Sequence, residues 1–76
     1  MITAHEIRRE IRDAGAINCN VYCRPISDAS RLLWCGGTGH GFRITRARRY
    51  CDQTQVFALA TGEWYTLQPG DMLYAQ

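Results

Sequence analysis

The stretch TAHEIRREIRDAGAINCNVYCR (residues 3–24) decides the fold, because its apolar period changes once, at Gly15. Before that glycine, Ile7, Ile11 and Ala14 recur at helical spacing. Thr3 stands three residues ahead of Glu6, the reciprocal capping arrangement in which each side chain satisfies a free amide of the other residue. Ile2 and Ile7 occupy the positions of a hydrophobic staple across that cap, and Gly15 sits where a glycine closes a helix. These signals predict a helix over 4–14. After Gly15 the period becomes two. Ile17, Cys19, Val21 and Cys23 alternate with Asn18, Asn20, Tyr22 and Arg24, which predicts a half-buried strand.

Working outward, residues 25–30 form a turn-rich break, and residues 31–35 are expected as the next strand. Paired antiparallel, with Arg31 opposite Arg24, it sets Val21 against Trp34 and Cys23 against Leu32. The Gly36–Gly41 loop leads to a third strand from Phe42 to about Arg46, with Phe42 opposite Trp34 and Ile44 opposite Leu32. Residues 53–60 and 63–68 flank the turn signal Thr61-Gly62. Pro69-Gly70 is a second turn, and residues 72–75 a last strand. The expected architecture is α+β: one N-terminal helix on a five- to six-stranded antiparallel sheet, a single compact domain over 1–76. In the last hairpin Phe57, Leu59 and Trp64 share one face, and Val56, Ala58, Tyr65 and Leu67 the other. One short helix covers only part of a sheet. Either the sheet curls into a partial barrel, or its bare face meets another chain, a second copy included.

Composition bounds the function. At 76 residues the chain is near the lower size at which one core supports itself. Its hydrophobic fraction of 46% is that of a folded protein, and a net charge of +2 is too mild for a polycation that coats nucleic acid. No apolar run approaches the length of a membrane span, and no basic-then-apolar leader opens the chain. The expected address is the cytoplasm, that of a host cell if the gene is carried by a phage. Four cysteines there read as thiols.

Zinc is disfavoured by spacing. Along a strand, Cys19 and Cys23 lie roughly 13 Å apart, too far for a shared tetrahedral ion. Both read as small buried hydrophobes. Cys35 is expected to face solvent, with His40 its nearest base, yet no third group completes a nucleophilic site. The glycines of 36–41 resemble a phosphate loop only loosely, since a strand pattern without lysine follows them. No metal, cofactor or catalytic set is expected.

The positive signal is arginine. All nine basic residues are arginine, and five of them (Arg31, Arg43, Arg46, Arg48 and Arg49) fall in an acid-free window from Ala29 to Cys51. A guanidinium is always charged and offers a planar fork of donors to carboxylate and phosphate. Lysine-free composition also follows from a GC-rich genome. Arg43, Arg46, Arg48 and Arg49, edged by Phe42 and Tyr50, form the candidate partner-binding set. Arg8, Arg9 and Arg12 on the helix, among Glu6, Glu10 and Asp13, read as a mixed solvated surface.

In layout the chain resembles the small anti-CRISPR proteins of phages and mobile elements built as one helix against about five antiparallel strands. Ile2 to Gly15 would supply the helix, and Ile17 onward the sheet. Its basic balance departs from the acidic members that mimic nucleic acid. The resemblance implies a stoichiometric inhibitor that occupies a CRISPR effector complex, and it carries no residue roles. The partner expected is a protein or ribonucleoprotein with an acidic surface. A small nucleic-acid-binding module using the arginine and aromatic strand is the alternative.

Overall fold

The computed structural model describes residues 2–26 and 41–76. One helix, α1 (Ala4–Ala16), is followed by strands β1 (Val21–Arg24), β2 (Phe42–Tyr50), β3 (Gln53–Ala58), β4 (Glu63–Thr66) and β5 (Met72–Ala75). All pair antiparallel in one sheet of order β4-β3-β2-β1-β5. The fold is thus α+β with an N-terminal helix, as expected.

α1 begins at the expected Thr3 cap, but only half of the reciprocal arrangement forms, since the Glu6 carboxylate accepts from the Thr3 side chain and not from its amide. The Thr3 hydroxyl accepts from the Glu6 amide and donates to the Glu6 carboxylate, both at 3.2 Å. Ile7 is fully buried, Ala4 and Ala14 nearly so, and Ile2 and Ile11 pack at the margin of the core. The end of the helix differs from expectation. It runs to Ala16, and the left-handed residue is Asn18 (φ 60°), not Gly15. The Asn18 amide donates to the Gly15 carbonyl and the Cys19 amide to that of Ala14, a complete Schellman closure. Asparagine tolerates this backbone because its short polar side chain can bond locally. Ile17 therefore belongs to the cap and is 69% exposed, and the strand starts only at Val21.

The expected hairpin of β1 with residues 31–35 is also corrected. Val21 pairs with Ile44 on one side and Ala75 on the other, and Cys23 with Phe42 and Leu73. Both edges of β1 are taken. Residues 31–35 themselves, with Trp34, Cys35 and His40, lie outside the described residues. Gly41 makes the β1–β2 approach possible. A β-carbon there would stand 2.6 Å from the Cys23 carbonyl oxygen.

The connection from β4 to β5 shapes the sheet. It joins the two outermost strands through five residues, 67–71. A flat sheet would separate those strands by roughly 19 Å, close to the full reach of so short a link. Part of that reach is used up in the Gln68–Asp71 turn, where Pro69 is followed by Gly70 at φ 91° and Asp71 N donates to Gln68 O at 3.1 Å. The sheet must curl. Tyr65 of β4 meets Phe42 of β2 edge-on, with centroids 5.4 Å apart, across the concave side. No ladder joins β4 to β5, so the curl stops short of a barrel.

Asp71 clasps this arrangement. One carboxylate oxygen accepts from Tyr65 Oη at 2.7 Å and Gln68 N at 2.9 Å, the other from Ile26 N at 3.0 Å. Val21, Cys23, Phe42, Ile44, Val56 and Ala58 fill the concavity beneath α1. Burial, aided by the Asp71 carboxylate, pushes the Cys23 thiol up to about 12, so it is held protonated. It is the small core hydrophobe expected, whereas Cys19 is only half-buried.

Candidate arginine and aromatic docking face

Two local features of β2 create the convex face. Ile44 pairs with Ala58 and Arg46 with Phe57, so Thr45 is an extra residue, a bulge. Without it, strict alternation from the buried Ile44 would send Arg46 and Arg48 inward. With it, Ala47 turns into the core opposite Val56, and Arg46, Arg48 and Tyr50 turn out. β2 then continues well past Arg46, to Tyr50, and reverses through Cys51 and Asp52, both at positive φ (52° and 60°). That is a two-residue hairpin of the mirror type that matches strand twist.

β3 and β4 supply the rings beneath the arginines. Phe57 pairs with Arg46 on one side and Trp64 on the other, so the three stand in one row. Phe57 and Trp64 meet edge-to-face at 5.2 Å. The Arg46 guanidinium lies 5.4 Å from the Trp64 centroid and 5.9 Å from that of Phe57. Arg48 is held more tightly. Its guanidinium stacks 4.0 Å from the Trp64 centroid and 4.6 Å from that of Tyr50. Its Nε donates to Gln55 Oε1 at 2.8 Å, and Gln55 in turn donates to Thr66 Oγ1 at 3.1 Å.

Each cation–π contact at such a site contributes about 0.5–1 kcal/mol. Their larger consequence is order. An arginine already stacked and hydrogen-bonded loses less rotamer freedom when a partner arrives. Its fixed fork suits the planar, two-pronged recognition of carboxylate or phosphate. Glu63, the acidic residue of β4, alternates to the concave side with Ala58 and Tyr65, so the Arg46–Trp64 rows carry positive charge and rings together.

The expected site residues divide. Arg46, Arg48 and Tyr50 come together. Arg43 projects from the same side but stands in the row of Tyr22 and Tyr74, whose rings stack at 5.5 Å. Arg49 does not join them. It pairs with Thr54 and bridges Asp52 at 3.2 Å, an exposed ion pair of small energetic weight. Missed in the sequence were Phe57, Trp64, Gln55 and Thr66 as partners of the arginines. The alternation of the last hairpin had already put Phe57 and Trp64 on one face, and only the bulge joins that face to β2.

No family model, curated protein or solved structure matches the chain.

The helix contributes a second charged surface. His5, Arg8, Arg9 and Arg12, spaced along one side of α1, line one groove. Glu10 and Asp13 line another, with Ile17, Val21 and Tyr74. Within the surface expected to be mixed, these two grooves separate the arginines from Glu10 and Asp13, with the exposed Arg12–Asp13 pair at their boundary. Arg8 Nε donates to the Ala47 carbonyl at 3.0 Å, which pins the basic side of the helix against β2. Among the described residues no helix is long and apolar enough to cross a membrane.

Proposed function

We propose that the protein is a non-catalytic binding protein that acts by occupying the surface of an anionic macromolecule, and that it docks through the Arg46–Arg48–Trp64 face. The observation that carries this reading is Arg48: a guanidinium clamped between Trp64 and Tyr50 and tied to Gln55, on a sheet face that the helix leaves bare. A side chain that only solubilises the surface has no need of such ordering. The most specific form of the reading is inhibition of a CRISPR effector complex, supported by the layout of one helix on five antiparallel strands and by a positive face suited to a ribonucleoprotein. The thiol of Cys23, buried and held protonated, is no nucleophile.

Arg46→Glu and Arg48→Glu test the assignment, each compared with wild type for binding to a purified effector complex and for inhibition of its DNA binding. Loss of both activities in a folded variant supports the reading. Full inhibition by both variants refutes the assignment of this face.

A further inference from the structure

We propose that Arg8, Arg9 and Arg12 of α1 continue the Arg46–Arg48 face around the edge of β2, forming one cationic track for a single strand of nucleic acid. This rests on the reading that the convex face docks on an anion, and it names the partner.

The juxtaposition at Ala47 carries the inference. β1 pairs with β2 only from Phe42 to Ile44, so from Thr45 onward that edge of β2 faces no strand among the described residues. The Arg8 guanidinium closes on the Ala47 carbonyl there. Ala47 is flanked in sequence by Arg46 and Arg48, which project to the opposite side of the sheet. Ala47 is thus where the basic side of the helix meets the strand that bears Arg46 and Arg48, whose guanidiniums lean from there across β3 to Trp64. The separation of the helix charges extends that basic side. Arg9 and Arg12 lie in the same groove as Arg8 and His5, whereas Glu10 and Asp13 face the groove toward β1 and β5. Arg12 touches Asp13 at 3.3 Å, but both are exposed and such a pair exchanges readily with a phosphate.

The shape of the track selects the partner. A folded acidic protein needs a preformed cleft to reach both sides of such an edge. A duplex is stiff over about 150 base pairs and cannot fold around a single strand edge. A single strand turns at every nucleotide, stacks bases on aromatic rings and sets its phosphates on arginines. On the convex side the exposed Tyr50 ring and the Arg48 guanidinium stacked on Trp64 offer planes to bases, and the helix groove, whose one ring is the His5 imidazole, is suited mainly to phosphates.

The test is fluorescence polarisation of short polyuridylate, and of a duplex of equal length, at several salt concentrations. Wild type is compared with Arg9→Gln/Arg12→Gln and with Arg46→Gln/Arg48→Gln, each checked by circular dichroism. The expected result is single-strand binding at least about tenfold tighter than duplex binding. The salt slope should fall by about 1.4 in the helix variant, since each single-strand phosphate contact contributes about 0.7. An unchanged slope in the helix variant, with binding lost in the sheet variant, overturns the track and leaves the docking face standing. Equal affinity for duplex also overturns it. No oligonucleotide binding by wild type, while effector binding still depends on Arg48, overturns the partner and spares the face. Indifference of every partner to Arg46 and Arg48 removes both.

Discussion

Replacing Asp71 by alanine should be among the most damaging single changes outside the core. Its carboxylate accepts three hydrogen bonds, from Tyr65 Oη, Gln68 N and Ile26 N. Those donors belong to β4, to the β4–β5 turn and to the exit of β1, so one side chain holds the curl of the sheet. A hydrogen bond to a charged group contributes about 1.5–3 kcal/mol when sheltered and less when wet. Two of the three here are exposed, and only the Tyr65 bond is partly buried. Together they come to about 2–4 kcal/mol. A domain of 76 residues has about 4–11 kcal/mol of stability in all. The loss should lower the melting temperature by more than about 10 °C. Tyr65→Phe, which removes one bond, should cost about 1 kcal/mol and couple to Asp71→Ala in a double-mutant cycle. Urea melts followed by circular dichroism read both. A loss below about 0.5 kcal/mol for Asp71→Ala, within the range of ordinary surface substitutions, would refute the clasp.

Ile7→Ala should cost about 2–5 kcal/mol, Ile11→Ala less because it is only half-buried, and Thr3→Ala about 1 kcal/mol through the lost cap; equal small losses in urea melts would mean that α1 does not pack. Asn18→Gly should leave stability nearly unchanged, whereas Asn18→Val should cost about 1–2 kcal/mol, because a branched side chain resists the left-handed backbone. Cys23 sets a pH dependence. Its ordinary value is near 9 and the folded value about 12, so below pH 9 both states keep the proton. Above that the unfolded chain sheds a proton that the folded chain retains, and stability falls by roughly 1.4 kcal/mol per pH unit until the folded thiol also ionises. Cys23→Ala should flatten this alkaline decline relative to wild type in melts on either side of pH 9, and an identical decline in the variant would rule the thiol out as its source.

The helix and the order of elements were legible because their signals are local. Thr3, Glu6 and Ile7 state a helix start within a few residues, and Pro69-Gly70 states its turn within two. The helix end was misplaced because glycine is the commoner left-handed residue, and Asn18 took that role within an alternation that also read as strand. Pairing was less legible. Neighbours in sequence usually pair, which favoured residues 31–35 beside β1, yet β5 from the far end of the chain occupies that edge. The docking face depended on Thr45. Nothing in Phe42-Arg43-Ile44-Thr45-Arg46 announces a bulge, and without one the arginines and the Phe57–Trp64 rings belong to opposite sides of the sheet. The arginines were visible and so were the rings. Their meeting is a product of tertiary register.

The most direct test of the account is to watch the convex face while a partner binds. Nitrogen-15 NMR of the protein titrated with polyuridylate, and separately with purified effector complex, follows the indole Nε1–H of Trp64 and the Nε–H groups of Arg46 and Arg48, assigned by substitution. These signals are expected to move or broaden first and most with whichever partner binds, while the backbone amides of Glu10, Asp13 and Ile17 change little. Saturable binding that shifts the Glu10–Ile17 groove and leaves Trp64, Arg46 and Arg48 unmoved would contradict it.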